Sequence, residues 1–78
     1  MSAITPDSVV DLKGLSCPMP VLRTKKALDG VASGKVLRVD LTDAGSKTDL
    51  PAMIKRTGNE LLDTEEAGGV YTFYIRKK

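Results

Sequence analysis

The sequence predicts an α/β fold: a two-layer sandwich of order βαβαββ, in which two helices cover one face of a four-stranded mixed sheet. Three observations predict it. Short β-rich runs, one of them alternating apolar and polar, each precede a stretch with helical spacing of apolar residues. There are two such strand-to-helix units in succession. Two further strand-like runs then close the chain on either side of a glycine pair.

Residues 1–7, with Ser2, Thr5 and Pro6, read as a flexible lead-in, and residues 8–78 as one domain. Ser8 to Leu12 is rich in β-formers and stops before Gly14, as a first strand would. Cys17 follows in the junction between that strand and a helix. From Pro18 to about Leu28, Pro20, Val21, Thr24, Ala27 and Leu28 fall on one side at helical spacing, with Arg23 and Lys26 on the other. Pro18 suits the first helical position, where a missing N–H costs no hydrogen bond. Pro20 lies within the same first turn. Gly30 or Gly34 would stop the helix, leaving Asp29 to Gly34 as a loop.

Val36 to Leu41 alternates, Leu37, Val39 and Leu41 against Val36, Arg38 and Asp40, which is a strand with one covered face. Thr42 to Asp49 is rich in turn and capping residues. Ser46 with Asp49 resembles a capping box using the shorter acid. Pro51 fits the first turn if Thr48 is the cap, and costs a hydrogen bond if Ser46 is. Asp43 and Asp49 read first as caps of this second helix. Leu50, Met53, Ile54 and Thr57 form its apolar stripe, Lys55 and Arg56 sit in its last turn, and Gly58 ends it. Glu60 to Glu66 and Val70 to Arg76, separated by Ala67-Gly68-Gly69, make a terminal hairpin. Right-handed strand–helix–strand connections put both helices on the same face of the sheet, with Cys17 exposed at one end.

A chain of 78 residues has room for one core, and contents of 41% hydrophobic and 28% charged residues are ordinary for a globular domain. No apolar run approaches the ~20 residues that span a bilayer. The start lacks the basic and apolar regions of a signal peptide, so no membrane association and a cytoplasmic location are expected. A net charge of +2 and 4% aromatic content argue against direct nucleic-acid binding, and the basic end Arg76-Lys77-Lys78 reads as a fraying tail. The chain has no histidine, which removes Cys/His protease chemistry, imidazole general-base catalysis and His-ligated metal sites together. Neither a metal nor an organic cofactor is expected.

Cys17 is the single cysteine, so no internal disulfide forms. A sulfhydryl at the first turn of a helix lies where unpaired N–H groups and the positive end of the macrodipole favour an anion, and a thiolate is the reactive form of cysteine. Pro18 and Pro20 stiffen this junction, so Cys17 has little freedom to turn into the core. Around it, Arg23, Lys25 and Lys26 supply a basic patch able to steer an acidic partner, or simply a solvated helix face. Met19 and Leu22 flank the sulfur and offer an apolar centre for a transient interface, with core packing the alternative for Leu22.

The run Asp11-Leu12-Lys13-Gly14-Leu15-Ser16-Cys17-Pro18-Met19-Pro20 resembles the signature of the TusA/SirA-type sulfur-carrier family, an acidic residue followed by Gly-Leu-x-Cys-Pro-x-Pro. Lys25-Lys26, Thr42-Asp43-x-Gly45-Ser46, Asp49 and the closing Tyr-x-Phe-Tyr-Ile-Arg-Lys segment are similar to the family pattern as well, so the resemblance covers Val9 to Lys78. It implies the same βαβαββ fold. It also implies a carrier whose cysteine accepts sulfane sulfur as a persulfide from a donor protein, a cysteine desulfurase or rhodanese, and passes it to an acceptor protein with a reactive cysteine. Such relays serve tRNA thiolation, cofactor synthesis or dissimilatory sulfur oxidation. On this reading Asp11, Gly14, Pro18 and Pro20 shape the site, and Met19, Leu22, Arg23, Lys25 and Lys26 dock partners. The absence of a second, resolving thiol suits a carrier that keeps its cargo, and a monomer is expected. The alternative is a thiol redox sensor acting through intermolecular disulfides. A binding module would need a charged or aromatic surface that the sequence lacks beyond its basic end.

Overall fold

The computed structural model describes residues 4–78 and has the elements β1 (Ser8–Leu12), α1 (Met19–Asp29), β2 (Val36–Leu41), α2 (Ala44–Arg56), β3 (Glu60–Ala67) and β4 (Val70–Arg76). The sheet order is β1-β2-β4-β3. β1 runs parallel to β2, from Ser8 opposite Leu37 to Leu12 opposite Leu41. β4 is antiparallel to both β2 and β3 and lies between them, so the last strand in the chain occupies the middle of the sheet. This is the expected fold class, with β1 and β2 on the expected residues. Ala67, assigned from sequence to the turn, pairs with Val70 instead. The turn is then Gly68-Gly69 alone, with φ of 58° and 81°, the two left-handed positions of a tight hairpin turn.

Both helices pack on one face. Leu37, Val39 and Leu41 of β2 and Phe73 and Ile75 of β4 meet Leu28 of α1 and Leu50, Met53 and Ile54 of α2 in one buried cluster. The other face is polar. Asp40 Oδ1 accepts from Thr72 Oγ1 at 2.7 Å and from Arg38 Nε at 3.2 Å, while the Arg38 guanidinium lies 6.0 Å from the Tyr74 ring centre. These side chains satisfy one another, so a second layer is not needed to keep Asp40 and Thr72 paired.

Two helix starts differ from expectation. Pro18 is the N-cap of α1, one residue outside the first helical position assigned to it, and Pro20 is the second helical residue. α2 begins earlier than a Ser46 or Thr48 cap would place it: Asp43, one of the two aspartates read as caps, is the N-cap, its Oδ2 accepting from the Ser46 N–H at 2.8 Å and the Ser46 hydroxyl at 2.9 Å. Because Ser46 gives its proton to Asp43, it caps nothing, and Pro51 falls inside the helix. The far end of α2 closes as a Schellman motif, Gly58 N–H to Lys55 O at 3.0 Å and Asn59 N–H to Ile54 O at 3.1 Å.

Of the expected lead-in, Met1 to Ala3 lie outside the described residues. Asp7 is tied to the start of β2, its N–H to Val36 O at 2.9 Å and its carboxylate to Val36 N–H at 2.8 Å. The basic end does not fray at Lys77: its N–H donates to Lys35 O, its carbonyl accepts from Gly34 N–H, and its ammonium caps α1 at Leu28 O, each at 2.8 Å. Among the described residues no helix is long and apolar enough to cross a membrane.

Candidate functional site

The loop from β1 to α1 carries the candidate site and is pinned from both sides. Asp11 accepts the Lys13 N–H at 3.0 Å and stands 3.4 Å from the Lys13 ammonium. That backbone hydrogen bond, helped by the ammonium charge, holds its carboxyl below the usual range. The Gly14 N–H donates to Thr42 Oγ1 at 3.0 Å, which fastens the loop to the end of β2. Gly14 does so with φ of 87°, a conformation that residues with a Cβ resist. Leu15 closes onto Leu12 O at 3.3 Å and packs against the core. The chain then emerges, leaving Cys17 exposed ahead of α1. The peptide bond between Cys17 and Pro18 is cis.

α1 gives the sulfur fewer donors than the sequence suggested. Pro18 and Pro20 have no N–H, and the Met19 N–H is used on Ser16 O at 2.9 Å. The helix dipole remains, with no acidic residue in the first turn and no side-chain cap to offset it.

The second wall of the site is the start of α2. A methyl group on Gly45 would sit 3.8 Å from Cys17 Cβ, at ordinary contact distance, and 3.3 Å from an Asp43 oxygen, so the start of α2 lies directly against the cysteine. Asp43 is kept ionised by the Ser46 N–H first, then the Ser46 hydroxyl, with the Cys17 N–H adding a smaller pull in the same direction. Asp49 is not a cap. Its carboxylate faces the site and accepts from Cys17 Sγ at 3.9 Å, long even for a sulfur donor. The site is therefore an exposed sulfhydryl in an angle between two helix starts, with one carboxylate committed to the backbone and another facing the sulfur. Among the described residues no group of three or more potential ligands is arranged to hold a metal.

Residues 8–77 match the family described as Sulfurtransferase TusA. The chain belongs to the TusA family. It is 49% identical over 71 residues to the sulfur carrier protein TusA of Allochromatium vinosum, covering 91% of this chain and 93% of that one. Identity to the sulfur carrier protein TusA of Pseudomonas putida is 38% over 78 residues, 100% of this chain and 98% of the relative. The crystal structure of a SirA-like protein from Desulfitobacterium hafniense superposes with a TM-score of 0.72 at 33% identity, over 88% of this chain and 95% of that one.

In this TusA-family chain Met19 and Leu22 are exposed, at 37% and 54%, and core packing is ruled out for Leu22. They share the outer stripe of α1 with Arg23 and Lys26, all four being exposed and three, four and seven residues apart from Met19. Lys25 is separate from that stripe. It turns toward α2 and lines a cleft of about 180 Å³ with Leu28, Asp29, Met53, Thr57 and the two terminal lysines. Pro20 is fully buried and anchors the start of α1 in the core, its carbonyl accepting from Thr24 Oγ1 at 2.7 Å. Sequence reading did not bring Asp49 to the sulfur, because the contact joins residues 32 apart. The only signal was that Asp49 matches the family pattern.

Proposed function

We propose that this protein is a sulfur carrier in which Cys17 takes up sulfane sulfur from the persulfide of a donor protein and hands it to an acceptor cysteine. The observation that carries this reading is the exposed, single sulfhydryl at the meeting point of α1 and α2. Membership of the TusA family supports it. The Cys17 thiolate attacks the outer sulfur of the donor persulfide, R–S–SH. A new S–S bond forms on Cys17, the old one breaks, and the donor leaves as R–SH, giving Cys17–S–S⁻. No electrons are gained or lost overall. Without a second cysteine the persulfide has no internal thiol to discharge it, so transfer waits for a partner.

On this reading the loop bonds of Asp11 and Gly14, with Pro18 and Pro20, fix where the sulfur emerges. The stripe Met19, Leu22, Arg23 and Lys26 gives a partner an apolar centre with a basic margin, and Lys25 extends that charge toward α2. Donor and acceptor are proteins with reactive cysteines, such as a cysteine desulfurase or rhodanese on the donor side.

Intact mass after incubation with a sulfane-sulfur donor tests the proposal. Wild type is expected to gain one sulfur atom, reversibly with reductant, and C17S none. Mixed disulfides after peroxide, with no sulfur adduct, would replace the carrier by a thiol sensor.

A further inference from the structure

Asp49 has no part in capping α2, and the hydrogen bond to its carboxylate comes from the Cys17 sulfhydryl at 3.9 Å. That contact needs a proton on sulfur. A thiolate or a persulfide anion at Cys17 has none to give, and instead sets two negative charges face to face.

Two roles for such a carboxylate can be weighed. As a proton acceptor it is poorly matched, since a carboxylate is in general a much weaker base than a thiolate. As a fixed charge it acts at full strength. Like charges about 4 Å apart in water-like surroundings shift an equilibrium by about five-fold. The dipole of α1 pulls the other way by a comparable factor, weakened here because Pro18 and Pro20 contribute no N–H.

We propose that Asp49 sets how loosely Cys17 holds its sulfur: the carboxylate disfavours the loaded, anionic state and is satisfied again by the thiol when cargo leaves. This rests on the carrier reading of Cys17. Discharge is Cys17–S–S⁻ plus acceptor–SH giving Cys17–SH plus acceptor–S–S⁻. The outer sulfur moves to the acceptor, and the acceptor's proton ends on Cys17 Sγ, where it restores the bond to Asp49. Repulsion also turns the outer sulfur away from α2 and toward solvent, where an acceptor thiol can reach it.

The test equilibrates the full chain with glutathione persulfide and glutathione at fixed ratio and pH, and reads the loaded fraction by intact mass. D49N is expected to raise the loaded-to-unloaded ratio about five-fold over wild type, within a range of three to ten. Discharge to added glutathione slows correspondingly. D49E, which keeps the charge, stays near wild type. The gap between D49N and wild type closes as KCl rises from about 0.01 M to about 1 M and the Debye length falls from about 30 Å to about 3 Å. A packing role for Asp49 would not produce that salt dependence. If D49N does not fold, D49S is read the same way. Equal loading in wild type and variant, or a gap indifferent to salt, overturns the proposal. A wild type that takes up no sulfur at all is a separate result, which removes the carrier reading and this one with it.

Discussion

Asp43 accepts from the Ser46 N–H and the Ser46 hydroxyl, so it fastens the start of α2 beside the loop that carries Cys17. Its carboxyl is held below the ordinary range in the folded state, mainly by the Ser46 N–H. A group depressed in this way stabilises the fold above the unfolded-state value of about 3.9, and the contribution disappears as pH falls through the lower folded value. D43A is therefore expected to unfold at lower temperature than wild type at neutral pH, and the two melting curves should draw together as pH falls below the unfolded-state value of about 3.9 when followed by circular dichroism. At this scale the sequence was informative where chemistry is a property of one residue. Cys17 could be singled out because it is alone and stands before a helix. Asp49 could not, since helical spacing shows which residues share a side of α2 and is silent on what lies opposite. The count of free N–H groups at α1 was legible in principle, because two prolines in three residues announce their missing donors.

Among the elements, β1 and β2 were readable to the residue, since glycines and turn formers bound both and β2 alternates. α2 was not, and the reason is local competition. Ser46 and Thr48 are acceptable caps in isolation, but Asp43 offers a carboxylate three residues ahead of the Ser46 N–H and captures it first. The helix consequently runs through Pro51, whose ring removes a bond to the Lys47 carbonyl and crowds it. P51A is expected to raise stability to chemical denaturation by about 1–3 kcal/mol, up to the full interior-proline penalty. A loss of stability would show instead that the proline's contacts outweigh the missing bond. The hairpin was readable from its glycine pair, whereas the irregularity between Leu61 and Asp63 in β3 has no marker in the sequence.

For the molecule as a whole, stability rests on packing, with no disulfide to assist it. At roughly 0.05–0.15 kcal/mol per residue, a chain of 78 residues has only about 4–12 kcal/mol in hand. Leu50 is fully buried between α2 and the sheet. L50A should cost about 2–5 kcal/mol in urea unfolding, a large share of that total, while leaving the residues around Cys17 in place in the molecules that remain folded. The fold class followed from periodicity, but the sheet order did not: pairing of β3 with β4 is dictated by a short turn, whereas insertion of β4 against β2 depends on partners 30 to 40 residues apart. That insertion bears on how the protein is born. A chain leaving the ribosome holds β1, β2, both helices and β3 before the strand that joins β2 to β3 has been made. Until residues 70–76 clear the exit tunnel, β2 and β3 have no common neighbour, so the sheet on which both helices rest closes only when β4 arrives.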